Sequence, residues 1–201
     1  MATQNKIIFA GATGQLEGAL HLPIDAPCAV AVVAHPLPVM GGTMDNKVVT
    51  TLAKAFVELG FAALHFNFRG VGESGGSYDK GNGETLDAIA AANFMRGKFP
   101  GLPLVGAGFS FGGYVQARAA EVLQPQHLVL VAPAVGRFSM PPVPADTLLV
   151  HGELDEVIEL DAVLRWARPQ HLPVVVLVGA GHFFHGHLTQ LRQIVLQHFR
   201  G

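Results

Sequence analysis

The hydrophobic residues of this 201-residue chain come in short runs separated by glycine and proline. The longest runs, such as Cys28 to Ala34 and Val174 to Val178, have about the length of a β-strand. Runs of this length between turn residues are typical of parallel strands buried on both faces of a sheet. A membrane-spanning helix needs about 20 consecutive apolar residues. The positive mean hydropathy therefore indicates a large core and not a membrane protein.

Helical patterns lie between these runs. Residues 46–59 carry apolar side chains at helical spacing, and Gly60 ends that helix. Strands are predicted at 6–10, 15–22, 28–34, 61–66, 104–109, 127–132, 147–151 and 174–178, and further helices at 84–96, 111–123, 157–167 and 187–199. Strands that alternate with helices predict an α/β fold, with a mostly parallel sheet covered on both faces, in one domain over residues 1–201. Ligands of such sheets bind at the carboxyl ends of the strands, so the chemistry is expected in the loops that follow strands.

The charge pattern argues against several classes of partner. The 13 basic and 15 acidic residues give a net charge of −2 and form no basic stripe, so neither nucleic acid nor a membrane surface is expected. Cys28 is the only cysteine, and its place in an apolar run predicts a buried, inert thiol. The N-terminus lacks the apolar core of a signal peptide, and a cytoplasmic location is expected. The oligomeric state is left open.

Ser110 lies at the centre of Gly108-Phe109-Ser110-Phe111-Gly112, between a predicted strand and a predicted helix. A glycine two residues to either side lets strand and helix approach closely, and the sharp turn lifts the serine hydroxyl clear of the backbone. The hydroxyl then lies near a helix N-terminus, where partial positive charge favours an oxyanion. The alternative is a glycine-rich turn whose serine only caps the helix. The strand before and the helix after favour a nucleophile.

A serine hydroxyl needs a base to become a nucleophile at neutral pH, and the base needs an acid to orient it. His182 follows the last predicted strand and is the expected base. The acid should follow the preceding strand, where three carboxylates lie close together. Asp155 is the preferred acid, with Glu153 and Glu156 as alternatives.

The tetrahedral intermediate of acyl transfer needs two N–H donors for its oxyanion. One is expected from Phe111, the residue after the nucleophile, and the other from the loop after the strand at 28–34. That loop has the sequence His35-Pro36-Leu37-Pro38. Proline has no N–H, so Leu37 is the only donor among residues 36–38. The alternative is a proline-stiffened turn with no electrostatic role.

Three other features have weaker functional interpretations. Arg69, in the glycine-rich segment 67–75, is predicted mainly to bond its own loop, with an anionic substrate group as the alternative. His185 and His187 raise the possibility of a metal site, but no Cys or carboxylate cluster completes a ligand set, so no metal is expected. The glycines of residues 11–18 resemble a dinucleotide-binding loop. Such a loop must open a helix, which this segment is too short to form, so no cofactor is expected.

With these motifs placed, the chain resembles the α/β-hydrolase superfamily over nearly its whole length. It is most similar to the small lidless hydrolases related to dienelactone hydrolases and short-chain carboxylesterases. The similarity to this subgroup lies in HPLPVMGGTMDNKVV at residues 35–49 and NFRGVGESG at residues 67–75. The resemblance implies the α/β-hydrolase fold without a lid domain, with an eight-stranded, mostly parallel sheet whose second strand is antiparallel.

The same resemblance implies Ser110, Asp155 and His182 as a catalytic triad. Many members of the subgroup carry a second histidine where Leu37 stands, but this departure changes a side chain and leaves the backbone donor. Dienelactone hydrolases proper use a cysteine nucleophile, so their substrate is not implied for Ser110. The expected function is a serine hydrolase whose partner is a small-molecule ester or thioester. The alternatives are a non-catalytic binding protein on the same fold, or a peptidase or acyltransferase with the same triad.

Residues 133–146 follow the strand where larger members of the fold commonly insert a lid. The segment is too short for a helical lid, and its four prolines predict a stiff loop. Without a lid, a shallow apolar groove is expected beside Ser110, although its candidate residues could also be ordinary core. The candidates are Met40, Phe111, Phe138, Met140 and Phe183.

Overall fold

In the computed structural model, which describes residues 3–200, eight strands alternate with five α-helices. The strands are β1 (Thr3–Ala10), β2 (Gln15–Leu22), β3 (Ala29–Ala34), β4 (Phe61–Phe66), β5 (Leu104–Phe109), β6 (His127–Val131), β7 (Leu148–Gly152) and β8 (Val174–Leu177). The helices are α1 (Lys47–Glu58), α2 (Asn82–Lys98), α3 (Phe111–Leu123), α4 (Leu160–Ala167) and α5 (Leu188–Arg200). Single 3-10 turns lie at Pro38–Met40 and Arg168–Gln170.

The strands form one sheet in the order β1-β2-β4-β3-β5-β6-β7-β8. β2 is antiparallel to both of its neighbours, and the pairs from β4 to β8 are parallel. The predicted eight-stranded sheet with an antiparallel second strand is therefore confirmed. The glycines between β1 and β2 close a hairpin, in which the N–H of Gly11 donates to the carbonyl of Gly14 at 2.7 Å. Because that turn leads into a strand and not a helix, it lacks the geometry of a dinucleotide-binding loop.

The sheet separates two apolar cores. Val30 and Val32 of β3 pack into one core, and Ala31 and Val33 pack into the other, as the two-residue period of a strand requires. Helices α2, α3 and α4 cover the first face, and α1 and α5 cover the second. All six residues of β3 are buried, which explains its continuous apolar sequence. None of the helices within residues 3–200 is both long enough and apolar enough to cross a bilayer.

Two helices, α2 and α4, begin two or more residues away from the predicted start, and carboxylate hydrogen bonds to the backbone explain both differences. α2 begins two residues before Glu84, because the Glu84 carboxylate reaches back to accept the N–H of Gly81 at 2.7 Å. α4 begins at Leu160 and not at residue 157. The N–H groups of residues 157 and 158 donate instead to the Asp155 carboxylate, which holds them in a loop.

Cys28 is exposed, so the prediction of a buried thiol is wrong. Pairing between β3 and β4 begins at Ala29, one residue later than the apolar run suggested. The backbone N–H of Cys28 donates to the carbonyl of Gly60, and its side chain lies beside the same carbonyl, at the edge of the core.

Residues 133–146 form neither a helix nor a paired strand of the sheet. The segment is anchored at two places: the N–H of Ala134 donates to the carbonyl of Ser110 at 3.2 Å, and the N–H of Val143 donates to the side chain of Gln170 at 2.9 Å. The predicted absence of a helical lid in this segment is confirmed.

Candidate active site

Ser110 occupies a sharp turn between β5 and α3. Its backbone has φ 55° and ψ −117°, a conformation that residues other than glycine rarely adopt and that costs about 1–3 kcal/mol. The flanking glycines make the turn possible. A Cβ added to Gly108 would lie 2.2 Å from the carbonyl oxygen of Gly112, and one added to Gly112 would lie 2.2 Å from that of Ala34. No side chain fits at either position, so β5, α3 and the end of β3 meet backbone to backbone.

The ring of His182 lies between Ser110 and Asp155. Its Nε2 is 3.1 Å from Ser110 Oγ, and its Nδ1 is 2.8 Å from Asp155 Oδ2. An ionised carboxylate only accepts hydrogen bonds, so Nδ1 carries the hydrogen and the lone pair of Nε2 faces the serine hydroxyl. The three residues are only 8%, 2% and 7% exposed, in the order Ser110, His182, Asp155. Three side chains predicted from separate loops thus form one hydrogen-bonded chain.

The Asp155 carboxylate is surrounded by donors. Oδ1 accepts the backbone N–H groups of Val157 and Ile158 at 2.9 and 2.7 Å, while Oδ2 faces His182. Burial by itself raises the pKa of Asp155, but these hydrogen bonds outweigh it and hold the pKa below its ordinary value. Asp155 is therefore ionised at neutral pH, as the orienting acid of a histidine base must be.

A second histidine, which the sequence pattern did not single out, supports the same loop. His151 at the end of β7 is fully buried, and its Nε2 donates to the carbonyl of Ile158 at 2.9 Å. The same nitrogen lies 3.5 Å from Asp155 Oδ2. Burial lowers the pKa of His151, so its ring is neutral at neutral pH.

The two alternative acids bond backbone groups. Glu153 Oε2 accepts the N–H of Gly179 at 2.8 Å, and Glu156 Oε2 accepts the N–H of His182 at 3.2 Å. Of the three carboxylates in this loop, it is Asp155 that hydrogen-bonds the His182 ring. The two glutamates instead join the loop of Asp155 to the loop of His182.

The two predicted oxyanion donors lie in segments that touch the serine turn. Phe111 is the first residue of α3, so its N–H has no partner within the helix. Leu37 precedes the 3-10 turn at Pro38–Met40, and within residues 3–200 no backbone carbonyl accepts its N–H. The strand end that leads to Leu37 packs directly against Gly112.

His35 holds the beginning of the Leu37 loop. Its ring is fully buried, with Nδ1 2.6 Å from the carbonyl oxygen of Pro36 and Nε2 3.1 Å from the backbone nitrogen of Phe68. The ring also packs on the Phe68 ring, with centroids 4.5 Å apart. Burial lowers the pKa of His35 to about 4. The prolines of this loop predicted a role for its backbone. The local sequence did not indicate that the His35 side chain also bonds the loop after β4.

Arg69 forms a buried, two-bond ion pair with Asp87 of α2. Its Nε and Nη2 donate to the two carboxylate oxygens at 2.9 and 2.7 Å, and its own backbone N–H donates to the same group at 3.0 Å. The hydrogen bonds that Arg69 donates to Asp87 raise the pKa of Arg69. Arg69 therefore anchors its own loop to α2, in agreement with the preferred sequence interpretation.

The predicted groove residues fall into two groups. Phe111 is 1% exposed and belongs to the core, and Phe138 and Met140 are partly buried against that core. Met40 and Phe183 are 82% and 40% exposed. Two surface hollows of about 500 and 420 Å³ lie elsewhere, one between the β1–β2 turn and α2 and the other beside the end of α3. Phe183 lies beside His182, with ring centroids 5.0 Å apart, and Met40 lies in the 3-10 turn after Leu37. These two exposed side chains are the candidates for an open apolar rim.

Within the described residues, His185 and His187 do not form part of a group of side chains that could bind a metal ion. Across residues 3–200, no three His, Cys, Asp or Glu side chains come together in a way that could hold a metal ion. The ring of His185 lies instead beside that of Phe183, with centroids 5.9 Å apart.

Comparison with known proteins identifies the family. The family model described as Serine aminopeptidase, S33 matches residues 26–147. The chain is also 33% identical over 196 residues to an uncharacterised protein of Rickettsia prowazekii (strain Madrid E), in an alignment that covers 89% of this chain and 82% of the relative. The chain belongs to this family of serine α/β hydrolases.

Solved structures agree with this assignment. An α/β serine hydrolase without a lid from Xanthomonas campestris is 40% identical, with a TM-score of 0.94 over 98% of this chain and 94% of that one. An α/β serine hydrolase homologue from Coxiella burnetii is 39% identical, with a TM-score of 0.91 over 96% of both chains. The lidless subgroup expected from the sequence is therefore confirmed.

We predict that His35 makes the protein more stable at neutral than at acidic pH. The folded state keeps His35 neutral down to about pH 4, whereas in the unfolded chain it takes up a proton below its ordinary pKa of 6.5. The stability it contributes is complete above pH 6.5 and decreases as the pH falls towards 4, by up to about 3 kcal/mol.

The measurement is urea unfolding of the wild type and of His35→Asn at several pH values across this range. Asparagine does not titrate, so the difference in free energy of unfolding between the two proteins should shrink as the pH falls. Other buried histidines are common to both proteins and cancel in this difference. A difference that does not change with pH would contradict the prediction.

Proposed function

We propose that the protein is a serine hydrolase that cleaves a small carboxylic ester or thioester through an acyl-enzyme on Ser110. The observation that supports this most directly is the hydrogen-bonded chain of Ser110, His182 and Asp155, with separations of 3.1 and 2.8 Å. A nucleophile, a base and an orienting acid within hydrogen-bond distance form the arrangement that activates a serine. The ionised state of Asp155 and the strained turn at Ser110 support the same role.

In the proposed mechanism, Ser110 Oγ attacks the carbonyl carbon of the substrate while His182 Nε2 takes its proton. Asp155 stabilises the imidazolium that forms, and the N–H groups of Leu37 and Phe111 bind the oxyanion. The intermediate collapses, the carbon–oxygen or carbon–sulfur bond breaks, and the leaving alcohol or thiol takes the proton from His182. A water molecule then gives a proton to His182 and attacks the acyl carbon. The bond between that carbon and Ser110 Oγ breaks, Oγ takes the proton from His182, and the acid is released.

A peptide with a free N-terminus is the alternative to an ester or thioester. The matching family model is named for an aminopeptidase, and such an enzyme must bind the ammonium group of its substrate. The two carboxylates in the loop of the triad acid, Glu153 and Glu156, each accept a backbone N–H and hold loops together. Each accepts with one oxygen, and its other oxygen is the place where such an ammonium group would bind. Assays with aminoacyl p-nitroanilides beside p-nitrophenyl esters would separate the two activities.

Ser110→Ala should abolish both ester turnover and labelling by a fluorophosphonate probe, because the probe reacts only with an activated serine. The fold should survive, since the hydroxyl is the only group removed. Labelling is measured by fluorescence in a gel and folding by circular dichroism. A folded wild type that takes up no probe would instead favour the non-catalytic binding protein.

Asp155→Asn should lower kcat by about 10²–10⁴-fold, because an amide no longer holds His182 in the tautomer that accepts the serine proton. Glu153→Gln is the matched control. Its amide oxygen can still accept the N–H of Gly179, so kcat should stay within about twofold of the wild type, within the usual effect of a surface substitution. Steady-state kinetics on p-nitrophenyl acetate measure both changes. A larger loss in Glu153→Gln than in Asp155→Asn would mean that the acid is assigned wrongly.

We expect kcat/KM on p-nitrophenyl esters to be highest for short acyl chains. Each CH₂ that becomes buried contributes at most about 0.8 kcal/mol, and the open rim of Met40 and Phe183 can cover only a short chain. The measurement is kcat/KM against acyl length from acetate to palmitate, with no increase expected when the ester forms micelles. A maximum at the long end would contradict the proposed groove.

Two exposed apolar residues provide a matched pair for the same experiment. Met40→Ala should lower the preference for butyrate over acetate, because Met40 belongs to the proposed rim. Val122→Ala removes a similarly exposed side chain at the end of α3 and should leave that preference unchanged.

A further inference from the structure

The loop that carries Leu37 contains one peptide group that no proline ring holds. Pro36 and Pro38 each have a fixed φ, and Pro38 also restricts ψ of the residue before it, which is 117° at Leu37. The remaining freedom is rotation of the peptide group between Pro36 and Leu37. That rotation decides where the Leu37 N–H points, because the C=O and N–H of a trans peptide point in opposite directions.

His35 bonds this peptide group through its carbonyl. A carbonyl only accepts and a backbone N–H only donates, so the 2.6 Å contact to Pro36 O requires a hydrogen on Nδ1 and the 3.1 Å contact to Phe68 N requires a lone pair on Nε2. The two backbone partners therefore select a single neutral tautomer. Burial lowers the pKa of His35 to about 4, so this tautomer persists at neutral pH.

The backbone of Gly42 packs against the carbonyl oxygen of Pro36. A Cβ built on Gly42 would lie 2.1 Å from Pro36 O, and the Gly42 N–H donates to the carbonyl of Leu37 at 3.0 Å. The Pro36 carbonyl oxygen is thus held by the His35 imidazole and packed against a backbone that has no side chain.

We infer that His35 is a positioning residue for the oxyanion hole: its Nδ1–H fixes the Pro36 carbonyl and so aims the Leu37 N–H at the tetrahedral intermediate. This inference rests on the proposed function. The hydrogen bond also polarises the peptide group, which makes the Leu37 N–H a stronger donor. The second bond, to Phe68, fixes the ring to the loop after β4. His35 acts through the backbone and does not touch the substrate. Because the oxyanion develops only in the transition state, the effect belongs to kcat and not to KM.

Two amide substitutions separate the roles of the ring nitrogens. His35→Asn places an amide nitrogen near the position of Nδ1, where it can still donate to Pro36 O. His35→Gln carries an amide oxygen to the position of Nε2, where it can accept from Phe68 but leaves the Pro36 carbonyl without its donor. We expect kcat of His35→Gln to be at least about 10-fold below that of His35→Asn, with similar KM; complete loss of an oxyanion donor costs about 10²–10³-fold.

Three further measurements complete the test. Binding of a boronic acid that forms a tetrahedral adduct with Ser110 should weaken by the same ratio as kcat. His127→Gln is the control and should keep the wild-type kcat, because His127 is the first residue of β6, at the end of the strand opposite to the loops of the site. Melting temperatures of His35→Asn and His35→Gln show whether both are folded. Equal kcat in the two folded variants would overturn the inference.

If His35→Gln does not fold, Gly42→Ala tests the inference in its place. Its methyl group pushes on Pro36 O and should lower kcat without a matching change in KM; an unchanged kcat would overturn the inference. A folded wild type with neither ester turnover nor probe labelling would overturn the proposed function and this inference with it. If the wild type is active but His35→Asn and His35→Gln have the same kcat, only the inference about His35 is overturned.

Discussion

The close approach of three backbone segments at Gly108 and Gly112 is the contact on which the rest of the site depends. A methyl group at either position would lie 2.2 Å from a carbonyl oxygen, so only glycine lets β5, α3 and the end of β3 meet. The meeting forces Ser110 into its strained conformation and exposes the first N–H of α3 beside it. It also brings the loop of Leu37 against the same helix start. One steric constraint thus brings together Ser110 and both proposed oxyanion donors.

The loops around this contact are held by side chains that bond backbone groups. Loop residues lack the neighbours that pair backbone groups within a sheet, and a buried N–H or C=O must still be paired. Four side chains meet that need in the loops after β3 and β7, namely His35, Glu153, Asp155 and Glu156. At Asp155 the same bonds also determine charge, because its donors keep it ionised. His35 is kept neutral by burial, which outweighs the opposite effect of its bond to Pro36.

The sequence predicted most of the fold and the three residues of the hydrogen-bonded chain, but with unequal support. Ser110 followed from glycine spacing and from the strand and helix around it, which are local properties. His182 followed from its place after the last strand. The choice of Asp155 over Glu153 and Glu156 was only a preference, because directions of neighbouring side chains in a loop depend on torsions that no pattern of residue types specifies. The predicted start of α4 was wrong for the same reason. The Asp155 carboxylate accepts the N–H groups of Val157 and Ile158, which lie just before the helix.

The sequence by itself determined the strands, the helices and the turn at Ser110, because hydrophobic period and glycine placement act between residues close in the chain. Only the tertiary structure decided which carboxylate meets the base, why His35 is neutral, and that Phe111 is core while Met40 is exposed. These depend on packing between distant segments: His182 is 27 residues from Asp155 and 72 from Ser110. Which side chains fill the space between such segments is set by the folded shape of the whole sheet and its helices, and not by local periodicity.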